Sequence, residues 1–211
     1  LVGVVHPRTA VRVVEESASA DIQTMVGVSP SERGLSPPLF AVRKRIGWLA
    51  INLVTAFMAA AVVGLFEGTI SQYTALAVLL PVVAGQSGNA GAQALAVTMR
   101  ALTLREIGVR MWLPAVRKET VVGLINGLGI AAICAAGVYL WSGSAGLCLI
   151  IALAMVLSMM IAGLAGAMVP MILVRFGIDP AASSSIVLTT ITDVAGFFSF
   201  LGIASALATL I

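Results

Sequence analysis

Residues 46–66 read IGWLAINLVTAFMAAAVVGLF, an uninterrupted apolar segment that directly follows the basic triplet Arg43, Lys44 and Arg45. About 21 residues of α-helix rise about 31 Å, which matches the thickness of the hydrocarbon layer of a membrane. The segment therefore predicts a transmembrane helix, and the fold depends on how many such segments follow.

Four further apolar segments follow, at residues 73–104, 120–141, 147–174 and 182–211. The chain is 60% hydrophobic and only 10% charged, with a mean hydropathy of +1.08, whereas a soluble domain carries about 25% charged residues. We therefore predict an all-α polytopic membrane protein with five transmembrane helices per chain. The net charge of +3 comes from basic clusters beside apolar segments, which favours a lipid bilayer over nucleic acid as partner.

The positions of lysine and arginine predict the orientation of the chain. In an alternation of five spans, the basic residues of the connections all fall on one side, and cytoplasmic connections carry the excess of such residues. We expect a multi-pass protein of the inner (plasma) membrane, with a cytoplasmic amino terminus and an external carboxyl terminus. The residues counted are Arg43, Lys44, Arg45, Arg100, Arg105, Arg110, Arg117, Lys118 and Arg175.

Residues 1–45 differ in composition from the rest, because they hold the only histidine, His6, and four of the nine acidic residues. Their pattern predicts a strand at residues 1–5, a helix, a turn and a connection to the first span. We expect a soluble segment that begins inside a domain.

Asp193 is the one carboxylate far from a predicted membrane boundary. A charged Asp at the centre of a bilayer costs roughly 2.5–3.5 kcal/mol, so its side chain should face a protein interior or an aqueous path. Thr189 and Ser185, four and eight residues earlier, share its helical face. Asp193 and Thr189 are therefore candidate cation ligands, although a hydrogen-bonded Asp that stabilises helix packing would fit the same pattern.

The second span contains Pro81 and the segment GQSGNAG at residues 85–91. We expect this span to be broken or locally unwound, because glycine lets the backbone leave helical geometry and expose carbonyl oxygens. Asn89 would add an amide oxygen, and Gln93 would share its face if the helix resumes. The alternative is that the glycines only allow close helix packing.

The candidate ligands are oxygen atoms, which favours Mg²⁺, Ca²⁺ or Mn²⁺ over zinc or copper. One carboxylate is too few for a protein cage, but Mg²⁺ can be bound through its water shell. Two copies of the chain would supply two carboxylates, so a pore between two subunits is physically reasonable.

Two motifs stand out in the second and fifth segments: residues 81–93, PVVAGQSGNAGAQ, followed by Arg100, and residues 190–197, TITDVAGF, preceded by Asp179. They resemble the second and fifth spans of the MgtE family of magnesium channels. The resemblance implies a homodimer whose pore at the subunit interface is lined by the second and fifth helices. Asp193 would bind hydrated Mg²⁺, with backbone carbonyls around Ala84, Gly85 and Gly88.

The same resemblance implies the domain organisation. Residues 1–30 are similar to the end of a second cytosolic CBS domain, residues 31–45 to a connecting, plug-like helix, and residues 46–211 form the transmembrane domain. Ser87, Ala92 and Ser185 depart from the family's pattern, since many members have glycine at the first position and some have asparagine at the other two. We expect these departures to alter ion affinity or selectivity.

Three other functions remain as alternatives to a channel. An ion-coupled secondary carrier would use the same Asp193 and a broken span. An intramembrane hydrolase lacks a base near a serine in the spans, so we expect no enzyme. A non-transporting structural subunit would leave the polar face of Asp193 without a role.

Overall fold

The computed structural model describes residues 22–210 together with Thr9, Val13, Glu16, Ser19 and Ala20. The predicted strand at residues 1–5 and His6 lie outside the described residues. In the part described, the protein is helical without a strand, and five helices are long and apolar enough to span a membrane. The helices are α1 (Pro38–Gly64), the short α2 (Glu67–Gln72), α3 (Ala75–Thr103), α4 (Trp112–Ser142), α5 (Ala145–Arg175) and α6 (Pro180–Ala206).

Local sequence explains where these helices begin and end. Gly143 ends α4 in the left-handed conformation, with φ of 67°, which glycine adopts without the steric cost of a side chain. The hydroxyl of Ser144 then accepts the N–H of Leu147 and caps α5. At the other end of the bundle, the carboxylate of Asp179 accepts the N–H of Ala181 and caps α6. Adjacent helices can therefore be antiparallel with very short connections.

Helix α5 lies at the centre of the bundle, with half of its apolar span buried against 6% for α1. The helices packed against α5 come close to it at glycine residues. A Cβ built on Gly123 of α4 would lie 2.5 Å from the backbone oxygen of Met159, and one on Gly166 would lie 2.5 Å from that of Gly91. Such contacts between backbones are typical of helices that associate in lipid, where no hydrophobic effect drives association.

The second span is continuous, so the prediction of a broken or unwound helix is wrong. Helix α3 runs from Ala75 to Thr103 through Pro81 and the glycine-rich segment. A glycine costs about 1 kcal/mol relative to alanine inside a helix, whereas each unsatisfied backbone group costs several kcal/mol in a membrane. The second cost is larger, so the backbone stays helical.

The predicted connecting helix over residues 31–45 is also not a separate helix. Residues 26–37 form turns and irregular structure, and the following residues belong to α1, which starts at Pro38. Proline is favoured in the first turn of a helix, where its missing N–H costs nothing. The connection packs on α1 through an ion pair between Glu32 and Arg45, and Gly27 leaves room for the ring of Trp48.

Two spans begin about two turns before the predicted residues, at Pro38 instead of residue 46 and at Trp112 instead of residue 120. Hydropathy detects only the part of a helix that lies in hydrocarbon. The helix continues beyond it because lysine and arginine extend their charged ends into water. The connection between the second and third predicted segments is therefore partly the start of α4.

The glycine contacts predict which positions tolerate a methyl group. Replacing Gly123→Ala should destabilise the protein by about 1–3 kcal/mol, because the methyl group would overlap the backbone of α5. Gly137→Ala in the same helix is the control, since no atom lies within 4 Å of its Cβ position. Thermal unfolding of both variants in detergent would check this, and equal melting temperatures would contradict the close approach of α4 and α5.

Candidate cation site at the contact of two helices

Helices α3 and α6 contact each other through small residues over two turns. A Cβ on Gly91 would lie 3.1 Å from Cδ1 of Leu188 and 3.2 Å from Cγ2 of Thr192. One turn further along, a Cβ on Gly196 would lie 3.4 Å from Oγ of Ser87. The two motifs singled out in the sequence are therefore in direct contact.

Asp193 lies within this contact region, between Thr192 and Gly196 in α6. Its side chain is partly buried. Among the described residues, no hydrogen bond or ion pair involves its carboxylate, and no group of three or more metal-ligating acids, histidines or cysteines occurs. A carboxylate in an apolar span without a counter-charge in its own chain needs water, a cation or another subunit to stabilise its charge.

Thr189 and Ser185 lie on the same face of α6, towards its amino-terminal end. Helix α6 is continuous through both positions. The hydroxyl of Thr189 donates to the carbonyl of Ser185 at 2.8 Å, and the Thr189 side chain is exposed. Its oxygen keeps lone pairs that could accept hydrogen bonds from the water shell of an ion.

The backbone carbonyls of Ala84, Gly85 and Gly88 belong to a regular helix, so unwinding does not free them for a cation. The hydroxyl of Ser87 donates to the carbonyls of Val83 and Ala84, at 2.9 and 3.1 Å. Gly85 and Gly88 have no neighbouring atom within 4 Å of their Cβ positions. These two glycines therefore leave open space beside α3.

Asn89 does not lie with Asp193. It lines a cavity of about 370 Å³ between α3 and α4, together with Gln86, Gln93 and Asn126, and no described residue of α6 contributes to this cavity. Asn89 and Ser87 are two positions apart, which places them about 200° apart around a continuous helix. As predicted, Gln93 shares the face of Asn89.

Glu119 is a buried acid that was not among the candidate residues predicted from the sequence. The structure places it inside α4 with only 5% of its surface exposed, paired with the ammonium group of Lys118. A signal was present, because Gly123 and Gly127 follow at intervals of four and mark the packed face of the same helix.

Comparison with known families identifies the fold. The family model MgtE, described as a divalent cation transporter, matches residues 80–203, which is more than half of the chain and includes most of α3 and α6. The chain belongs to the MgtE family. It is 34% identical to the magnesium transporter MgtE of Thermus thermophilus over 209 residues. This match covers 98% of this chain and 46% of the relative.

Two further MgtE relatives are similar over nearly the whole chain. The magnesium transporter MgtE of Enterococcus faecalis is 30% identical over 207 residues, with 97% of this chain and 45% of the relative covered. The magnesium transporter MgtE of Bacillus subtilis is 28% identical over 206 residues, with 98% of this chain and 46% of the relative covered. The chain spans about half the length of the curated relatives it matches.

The contact of α3 and α6 predicts an intrachain disulfide. Ser87→Cys combined with Gly196→Cys, with Cys134 and Cys148 replaced by alanine, should crosslink on mild oxidation, since the Cβ position of Gly196 lies 3.4 Å from Oγ of Ser87. Gly85→Cys with Gly196→Cys is the control and should stay reduced. Mass spectrometry of the peptides would decide, and crosslinking only in the control pair would contradict the helix arrangement.

Proposed function

We propose that this MgtE chain is the membrane part of a magnesium transporter that moves hydrated divalent cations into the cytoplasm through a pore between two copies of the chain. The observation that carries the proposal is the carboxylate of Asp193, partly buried in an apolar span without a partner among the described residues. Three relatives named magnesium transporter support the choice of ion.

The dimer follows from the charge required at the site. Mg²⁺ gives up water reluctantly and is commonly bound through one or two carboxylates with several waters retained. Two Asp193 carboxylates about 9 Å apart would repel each other by about 2 kcal/mol at an effective dielectric constant of 20. A dication centred between them would replace this repulsion by attraction, so each subunit needs the other to complete the site.

The open side of α3 supports a pore lined by α3 and α6. Gly85 and Gly88 leave space beside the helix, and Thr189 is exposed on α6. A hydrated cation requires a wider passage than a bare ion. Small residues on one helix and hydroxyl oxygens on the other meet that requirement without stripping water from the ion.

Asp193 and Thr189 are the side-chain ligands in this proposal, and both would act through the water shell. The carbonyls of Ala84, Gly85 and Gly88 could contribute only the lone pair that helical bonding leaves unused. Asn89 belongs to another cavity and is left out of the proposed pore site.

The ion proposed is Mg²⁺. Oxygen ligands would also suit Ca²⁺ or Mn²⁺, but the names of the relatives give no support to either. The family is described as a transporter family, and the chain is proposed to act as a transporter rather than as an enzyme.

The proposed orientation is a cytoplasmic amino terminus and an external carboxyl terminus in the plasma membrane. The positive-inside rule supports it through the basic residues near the starts of α1 and α4 and near the ends of α3 and α5. Residues 1–30 are proposed as the remnant of a cytosolic CBS domain, and residues 31–45 as the connection to the membrane. Met25, which belongs to the proposed remnant, packs against a cluster that includes Met99 and Leu188, so the remnant reaches the proposed cytoplasmic end of α6.

Asp193→Asn tests the proposed function, because it keeps the shape of the side chain and removes its charge. We expect Mg²⁺ flux into liposomes to fall by at least about tenfold, which corresponds to the loss of about 1.4 kcal/mol of ion stabilisation. Glu67→Gln, at the first position of α2, is the control and should retain most of the flux. Unchanged flux through correctly assembled Asp193→Asn protein would refute the site.

Electrical recording distinguishes a pore from an ion-coupled carrier. A pore should give unitary Mg²⁺ currents in planar bilayers that disappear with Asp193→Asn. Uptake that depends on a proton or sodium gradient, without unitary currents, would contradict the pore and favour the carrier.

A further inference from the structure

A polar groove runs between α3 and α4. Three adjoining cavities of about 250, 180 and 370 Å³ form it, and each shares lining residues with the next. Glu119 lines the first two cavities, while Gln93 and Asn126 line the last two. Amide side chains are unfavourable against lipid, so this groove requires water, an ion or protein to cover its polar groups.

Glu119 is the most buried charged group of the groove. It is 5% exposed, and Gly163 of α5 packs on its backbone carbonyl. Its carboxylate is held by the ammonium group of Lys118, whose own side chain is 59% exposed. The carboxylate is therefore fixed in the protein, whereas the lysine can withdraw to water.

We propose that Glu119, with the amide oxygens of Gln93 and Asn126, binds a hydrated divalent cation in this groove, and that the Lys118 ammonium occupies the position when the cation is absent. Carboxylate and amide oxygens are the ligands that hard cations take from proteins. The central cavity, of about 180 Å³, has room for an ion with several waters. Of the residues that the structure describes, Lys118 is the only basic one that lines it.

The groove is separate from the site of Asp193. Among the described residues, none from α6 lines any of the three cavities. The first is lined by Ile107 and Met111 of the connection between α3 and α4, so an ion could enter from the side that carries this basic connection. The site goes beyond the proposed function, and it depends neither on a dimer nor on transport.

Competition with Lys118 gives the inference a distinctive consequence. Any substitution that removes the lysine charge should strengthen cation binding, since the ion no longer displaces an ammonium group. If Glu119 served only as a structural ion-pair partner, removing Lys118 would leave cation binding unchanged.

The experiment is a titration of purified protein with Mn²⁺, followed by the electron paramagnetic resonance signal of the free ion, in an Asp193→Asn background. That background removes the proposed pore site, so the Mn²⁺ titration reports on the Glu119 site alone. The flux assay tests the Asp193 site separately, and either proposal can fail without the other. We expect Glu119→Gln to remove one Mn²⁺ site per chain. Lys118→Gln should tighten that site by about tenfold.

Glu106→Gln is the matched control, because this residue is 53% exposed outside the groove, and it should leave the titration unchanged. An unchanged number of Mn²⁺ sites in Glu119→Gln would overturn the inference. If Glu119→Gln does not fold, Lys118→Gln alone tests the inference. Unchanged Mn²⁺ affinity in Lys118→Gln would also overturn the inference.

Discussion

Every polar group of the backbone must find its partner inside the protein when no water is present, and the rest of this structure depends on that constraint. It keeps α3 helical through a proline and a run of glycines that would be expected to break a helix in water. With the backbone held in helices, glycine acts mainly by letting helices approach. The contacts of Gly123 with α5 and of Gly91 with α6 are the result.

The two acids that the bundle partly or fully buries differ in their surroundings. Glu119 has a lysine beside it in sequence and in space, so the chain itself neutralises most of its charge. Asp193 has no such partner among the described residues, although it lies deeper in its helix. An acid without a counter-charge is costly in an apolar environment. The proposed role of Asp193 follows from this difference, because a passing dication shared with a second subunit would supply the missing charge.

Composition and hydropathy were enough to predict five transmembrane helices, since the required length and apolarity are physical properties of each segment. Helix ends were less predictable, because α1 and α4 continue beyond the hydrocarbon layer. The glycine-rich segment was predicted to unwind on the assumption that protein or water would cover the freed carbonyls, whereas α3 stays helical throughout. Asn89 was grouped with Asp193 for the same reason, whereas a continuous helix turns it towards α4. Glu119 directly precedes the predicted third segment, and only the extension of α4 to Trp112 places it inside the bundle.

The central claim is that Asp193 of two subunits holds a divalent cation beside the contact of α3 and α6. Anomalous diffraction from crystals of the protein soaked in Mn²⁺ tests it most directly, because the ion's position is seen without assuming that it is transported. The account predicts a peak between the two Asp193 carboxylates, at a distance that leaves room for water. Ordered Mn²⁺ elsewhere in the same crystals, with no peak near Asp193, would contradict it.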